Sequence, residues 1–141
     1  MKTPYLNLLA AVLVTGCAGP VHMLVKEDGT PFIGGNLAHD RGMDNRLVLE
    51  ATSRRYEARG FVVERQTNLA ELRKRYYGVD PKHWDRIFAG LDAGHVVYSL
   101  ETVARSAEGQ EISCRLMWSG AAKPAGVCTD RAGAAFPVRF E

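Results

Sequence analysis

The chain has 141 residues, with 18 Lys or Arg against 16 Asp or Glu, and its formal net charge is therefore +2. This length suits one domain with its own core, and the balanced charge lacks the basic footprint of a nucleic-acid-binding protein. The three cysteines and four histidines do not form the closely spaced pairs of a metal site, so we expect neither a metal nor another cofactor.

Residues 1–17 have the composition of an export signal. Lys2 gives a positive start, the run from Leu6 to Val14 is apolar except for Asn7, and small residues precede Cys17. This order predicts a secretory signal peptide. At about 1.5 Å per residue the apolar run crosses roughly half of a bilayer core, which is too short for a transmembrane helix.

The last four residues of this segment, Val14-Thr15-Gly16-Cys17, resemble the lipobox of bacterial lipoproteins, although Leu is commoner than Val at the first position. The resemblance implies cleavage before Cys17, a diacylglyceryl thioether on its sulfur and acylation of the new amino terminus. Sulfur is required because the thiolate is the nucleophile that takes the lipid. Residues 1–16 would then be the signal peptide, and residues 17–20 the lipidated cysteine and a short tether.

The residue after the lipidated cysteine indicates which membrane holds a Gram-negative lipoprotein. In Gram-negative lipoproteins Asp at this position favours retention in the inner membrane, so Ala18 implies the outer membrane, with the domain facing the periplasm. Two alternatives stay open: an ordinary cleaved signal in which Cys17 is incidental, and an uncleaved N-terminal anchor.

Residues 21–141 predict a single β-rich domain. Val21 to Lys26 is short and apolar, and Asp28-Gly29 then predicts a hairpin whose second strand begins at residues 31–33 and ends at Gly34-Gly35. The polar residues 36–45 predict a loop. Alternating polar and apolar side chains predict antiparallel strands near residues 46–52, 55–65, 95–105, 110–119 and 134–140. A helix over residues 46–58 is the alternative.

Two helices are expected between the second and third of these strands. Asn68 followed by Glu71 suits a capping box, which predicts a helix near residues 69–77. The spacing of Trp84, Ile87, Phe88 and Leu91 predicts an amphipathic helix near residues 81–90. The expected fold is therefore mainly β, of the α+β type: a small antiparallel sheet or partly open barrel with a short helical insertion.

The end of the domain contains the two remaining cysteines. If Cys17 carries lipid, Cys114 and Cys128 are an even pair in an exported domain, which predicts a disulfide, with two buried free thiols as the alternative. A short strand is expected at residues 127–129, and Pro137 predicts an edge position for the last strand because it lacks an N–H. The tail from Cys114, through Cys114-Arg115-Leu116, Gly126-Val127-Cys128 and Gly133 to Val138, is similar to that of small Gram-negative envelope lipoproteins, which implies no activity.

Basic and aromatic side chains of the helical insertion are the candidate binding surface for phospholipid headgroups, peptidoglycan or a peptide. They are Arg73, Lys74, Arg75, Tyr76, Tyr77, His83 and Trp84. The alternatives are a solvated helix face for the basic run and core positions for the aromatic residues.

The sequence shows neither a nucleophile elbow nor a phosphate-binding glycine loop. We therefore expect a non-enzymatic, lipid-anchored envelope protein that binds or assembles with an envelope protein or peptidoglycan. An envelope enzyme whose site is assembled only in three dimensions, or a barrel that binds a small ligand, is the alternative. A filled core would favour the accessory, whereas a deep pocket or an apolar cavity would favour the alternatives.

Overall fold

Nine strands form one antiparallel sheet that curls into a half-barrel. The computed structural model describes residues 20–39, 44–67, 71, 73–75, 82–84, 87, 96–119 and 123–141. The strands are β1 (Val21–Met23), β2 (Phe32–Ala38), β3 (Arg46–Ala51), β4 (Arg55–Arg59), β5 (Glu64–Gln66), β6 (Val97–Ser106), β7 (Glu111–Ser119), β8 (Ala125–Asp130) and β9 (Ala135–Arg139). Their order is β1-β2-β3-β4-β6-β7-β8-β9, and β5 also pairs with β6. The predicted mainly β fold is confirmed.

The first and last strands of this order meet through the backbone. Met23 and Glu141 exchange two N–H to carbonyl hydrogen bonds of 3.0 and 2.8 Å, and the N–H of Val25 donates to the carbonyl of Arg139 at 2.8 Å. Leu24 and Phe140 form an isolated antiparallel bridge between these bonds. We call this pairing the seam. It draws the two termini of the described chain together and stabilises the curl of the sheet.

β9 is last in the sheet order, which agrees with the edge position that Pro137 predicts, although residues 139–141 also pair with residues 23–25 in the seam. The N–H of Asp130 donates to the carbonyl of Ala134, and the N–H of Phe140 donates to the carbonyl of Pro124. The backbone N–H and C=O groups of alternate residues along β9 therefore point toward β8. Pro137 is three residues from both Ala134 and Phe140, so it belongs to the other alternating set, and its nitrogen points away from β8. The missing N–H removes no hydrogen bond from the β8–β9 ladder.

The antiparallel pairing gives the sheet two different ends. At one, which we call the turn end, short connections between residues 51 and 55, 106 and 111, and 130 and 135 join neighbouring strands. At the other, which we call the loop end, the chain enters β1, and the connections between β2 and β3, β5 and β6, and β7 and β8 leave the sheet. The connection between β1 and β2 lies at the turn end, whereas the helical insertion and the start of the domain share the loop end.

The prediction that residues 36–45 form a loop is wrong for residues 36–38. These residues are the end of β2 and pair with β1 on one side and β3 on the other. A Cβ atom at Gly35 would lie 2.2 Å from the carbonyl oxygen of Val48, so glycine allows this close pairing. Pairing on both sides and the complete burial of Leu37 outweigh the polar composition of the segment.

The single strand predicted over residues 55–65 is two strands, β4 and β5. Gly60 between them has a φ of 68°, a left-handed conformation that favours glycine. The buried side chain of Asn45 donates a hydrogen bond of 2.7 Å to the carbonyl of Phe61, and the N–H of Gly60 donates to the carbonyl of Asn45 at 2.9 Å. This interruption buries Phe61 and leaves Val62 exposed.

The other predicted elements are confirmed with small changes of length. The antiparallel strands near residues 46–52, 95–105, 110–119 and 134–140 correspond to β3, β6, β7 and β9, and the short strand at residues 127–129 extends to the six residues of β8. Helical positions occur in both predicted helices: residues 71, 73–75, 82–84 and 87. The other residues of these two helices lie outside the part of the chain that the structure describes.

Side chains fill the concave side of the curled sheet. Leu47, Leu49, Leu100 and Leu116 are at most 2 % exposed there, and aromatic and aliphatic side chains of every long strand complete this main core. A second, smaller cluster joins Trp84 to Val97, Met117 and Val127. Since these strand residues alternate with those of the main core, the helical insertion packs on the opposite face of the sheet.

The predicted disulfide between Cys114 and Cys128 is present. The two residues are direct partners in the β7–β8 register, their Cα atoms are 4.1 Å apart, and their Sγ atoms are bonded. Both side chains are buried in the main core. The bond ties β8, and through it β9 and the seam, to the centre of the sheet.

Reduction of this disulfide is expected to destabilise the domain. A bond that closes a loop of 14-residue separation restricts the unfolded chain, which contributes about 3 kcal/mol in chain-entropy estimates. We expect the reduced protein, and the Cys114→Ala/Cys128→Ala variant, to lose about this free energy of unfolding in urea titrations. An unchanged denaturation midpoint on reduction, with two thiols shown to be free by labelling, would contradict the expectation.

Candidate functional site

The basic run of the helical insertion is exposed to solvent, as expected. Arg73, Lys74 and Arg75 are all exposed, and Arg75 lines an open groove beside β6. His83 is half-buried. Cys17, Tyr76 and Tyr77 lie outside the described residues, so their predicted roles stay predictions.

Trp84 does not belong to the proposed surface. Its side chain is only 1 % exposed and packs in the cluster formed with Val97, Met117 and Val127. Trp84 therefore has the alternative role given in the sequence analysis, that of a core aromatic residue that covers one face of the sheet. Burial of such a large apolar ring against the sheet fixes the position of the second helix.

The groove that Arg75 lines follows from the interruption between β4 and β5. It has a volume of about 340 Å³ and opens to solvent, and it is lined by Gly60, Phe61, Val62, Glu64, Arg75, Ser99, Leu100 and Glu101. Its rim carries both charges, from Arg75 on the insertion and from Glu64 and Glu101 on the strands. An open groove with charges of both signs on its rim suits contact with a polar partner surface.

A cleft of about 500 Å³ continues from Gly60 on the other side of β4. It is lined by Val21, Asn36, Ala38, Asp44, Asn45, Arg46, Arg59 and Gly60. These residues lie where β1, β2, β3 and β4 reach the loop end of the sheet. The cleft and the groove therefore form a continuous polar and apolar surface around the loop end.

The structure also joins two histidines that the sequence places 17 residues apart. The Nε2 atoms of His22 and His39 are 3.1 Å apart, within hydrogen-bonding distance. The ring centroids are 5.2 Å apart and the ring planes differ by 14°. Because the centroids lie much farther apart than the two nitrogens, the nitrogens face one another, and one must donate while the other accepts.

This histidine pair begins a row of rings at the loop end. The ring centroid of His39 lies 4.9 Å from that of Trp118, and the Trp118 ring stacks on Tyr98 with centroids 5.9 Å apart. Sequence spacing did not reveal the row, because its members come from β1, from the residue after β2, and from β6 and β7. The register of the sheet alone brings them together.

Burial lowers the pKa of His22, and the positive charge of Lys123 lowers it further, whereas a hydrogen bond with the backbone of Glu141 opposes both effects. The neutral ring is therefore favoured, which suits a contact between two imidazoles. If both rings were protonated, each Nε2 would carry a hydrogen and the two positive rings would repel one another.

Charged side chains elsewhere on the sheet form ion pairs within strands and between neighbouring segments. A hydrogen bond from Arg59 lowers the pKa of Glu57, and Arg46 and Arg55 lie near the same carboxylate. Hydrogen bonds from Arg131 and Arg105 lower the pKa of Glu111. These pairs are exposed, and such ion pairs contribute little stability, so we interpret this face as solvated.

The buried polar side chains of the described residues are Asn45, Ser99, Ser106 and Ser119, which include no carboxylate and no histidine. No group of three or more potential metal-ligating side chains occurs in this part of the chain. Over the same residues, no helix has the length and apolar character needed to cross a bilayer.

Comparison with protein-family models, with curated proteins and with solved structures gives no significant match.

Acid is expected to weaken the fold through His22. Its folded pKa lies below the value of about 6.5 in an unfolded chain, so the unfolded state binds more protons. The stability that the neutral ring contributes is fully present above pH about 6.5 and declines as the pH falls below that value. We therefore expect unfolding free energies measured from pH 7.5 to 5 to fall more steeply in the wild-type protein than in the His22→Gln variant. Equal slopes would contradict this expectation.

Proposed function

We propose that the chain is a lipid-anchored protein of the bacterial envelope, attached through Cys17 to the outer membrane and facing the periplasm. The observation that carries the proposal is the order of residues 1–17, which ends in a lipobox-like Val14-Thr15-Gly16-Cys17. In this interpretation the lipid takes one of three cysteines and the disulfide takes the other two. The proposal thus accounts for every cysteine in the chain.

The disulfide supports an exported location by a separate route. Disulfides persist in oxidising compartments such as the bacterial periplasm and are rare in the cytosol. The bond between Cys114 and Cys128 is buried in the main core, where it stabilises the domain instead of presenting reactive sulfur at the surface. A buried disulfide is consistent with the export that a signal peptide at residues 1–16 would give.

The molecular role that we propose is a non-enzymatic binding or assembly accessory. Large apolar side chains fill the concave side of the sheet, which favours this role over a barrel that encloses a small ligand. Among the described residues, an open groove and an open cleft lie around the loop end, and another open pocket, of about 380 Å³, lies at the turn end beside Ile33 and Arg54. Such surfaces suit an envelope protein or a peptidoglycan strand as partner.

The anchor is tested by replacing the nucleophile. We expect Cys17→Ser to abolish incorporation of labelled palmitate and to leave the protein as unprocessed precursor or in the soluble fraction, because a hydroxyl does not replace the thiolate. Ala18→Asp is the matched control: it should keep the lipid and shift the protein to the inner membrane. Unchanged mass and membrane attachment in Cys17→Ser would refute the lipid anchor.

The accessory role is tested by affinity purification from detergent-solubilised envelope. We expect wild-type protein to retain a partner in a fixed ratio, and the charge reversal Arg75→Glu in the groove to reduce that retention. Arg131→Glu, at the turn end, is the control and should leave retention unchanged. A chain that retains neither an envelope protein nor peptidoglycan fragments would count against the accessory role.

A further inference from the structure

The exposed apolar side chains of the domain are unevenly distributed. Among the described residues, four large hydrophobic side chains are exposed: Val21 and Met23 at 57 %, Val62 at 60 % and Ile33 at 53 %. Val21 begins β1 at the loop end, and Val62 follows the end of β4 at the same end. Met23 pairs with Asn36 in the half of β2 nearer the loop end, whereas Ile33 lies at the turn end.

Val21 and Val62 belong to one continuous surface. Val21 lines the cleft that reaches Gly60, and Val62 lines the groove that begins at Gly60. Val21 and Met23 are two residues apart on β1, so their side chains lie on the same face of the strand. We call Val21, Met23 and Val62 the apolar rim of the loop end.

The start of the described chain lies beside this rim. Pro20 directly precedes β1 and is three residues from Cys17. An extended chain spans at most about 3.6 Å per residue, so Pro20 can be no more than about 11 Å from the cysteine. A lipid on Cys17 would hold the loop end, but not the turn end, next to the bilayer surface.

Basic side chains accompany the apolar rim. Arg59 and Lys123 are exposed at the loop end, and Arg73, Lys74 and Arg75 are exposed on the insertion that leaves from the same end. Arg65 and Lys82 are two further exposed cations of these segments, and the exposed acids are Asp44, Glu64, Glu71, Glu101 and Glu141. The basic side chains outnumber the acids, which favours contact with anionic headgroups, and apolar side chains flanked by cations are typical of surfaces that lie on a membrane.

We propose that the loop end of the domain lies on the bilayer surface, with Val21, Met23 and Val62 at the headgroup boundary and the turn end directed into the periplasm. This inference rests on the proposed lipid anchor of Cys17. The anchor supplies the attachment, so the rim only has to select the orientation of a domain that is already held at high local concentration.

The test compares two exposed apolar positions at opposite ends of the sheet. The acylated full-length protein carries a single fluorescent label on Val62→Cys or, as the matched control, on Ile33→Cys. Each protein is reconstituted into phosphatidylethanolamine and phosphatidylglycerol vesicles that contain lipids with a nitroxide headgroup. We expect about threefold stronger quenching at position 62, because an interfacial side chain lies within roughly 10 Å of the headgroups. Met23→Cys provides a second loop-end position if Val62→Cys does not fold.

Acylation and vesicle attachment are measured before quenching, by mass and by co-sedimentation, so that the two proposals fail in different ways. Protein without lipid overturns the anchor and with it this inference. Acylated, attached protein with equal quenching at positions 62 and 33 overturns the orientation alone. Protection of position 62 from aqueous iodide without quenching by the lipid nitroxide would show that a second copy or another protein covers the rim, which also overturns the orientation.

Discussion

The seam between residues 23–25 and 139–141 is the interaction on which the arrangement of this domain depends. Backbone hydrogen bonds between Met23 and Glu141 join the first strand to the last, so the sheet curls and its concave side becomes a packed core. The same pairing holds the start of the domain at the loop end. His22, one residue before the seam, is thereby placed against His39 and near Lys123.

The disulfide and the seam act on the same part of the sheet. Cys114 lies in the central strand β7, and its bond to Cys128 fixes β8, which carries β9 and thus one side of the seam. A short strand at the margin of a sheet has few contacts of its own and separates easily. The covalent bond therefore supports the part of the fold that hydrogen bonds alone would hold least firmly.

In the proposed accessory role, the surface around the filled core performs the function. The loop end carries the groove, the cleft, the apolar rim and both ends of the helical insertion. The turn end carries three tight connections, the longer connection between β1 and β2, and one open pocket. A rigid sheet with variable connections at one end is a common arrangement for binding proteins. The proposed anchor enters at this same end, so membrane attachment and partner binding would share one surface.

The sequence alone determined the elements whose stability comes from local pattern. The sequence predicted the strands β6 and β7 and the helix around Trp84, because side-chain alternation and helical spacing depend on residues close together in the chain. It also predicted the pairing of Cys114 with Cys128, because these are the two cysteines besides Cys17. Only the tertiary structure decided that residues 36–38 form a strand, that Asn45 interrupts the chain at Gly60, and that Trp84 is buried. It alone also placed His22 beside His39, because contacts between segments distant in sequence depend on the register of the whole sheet.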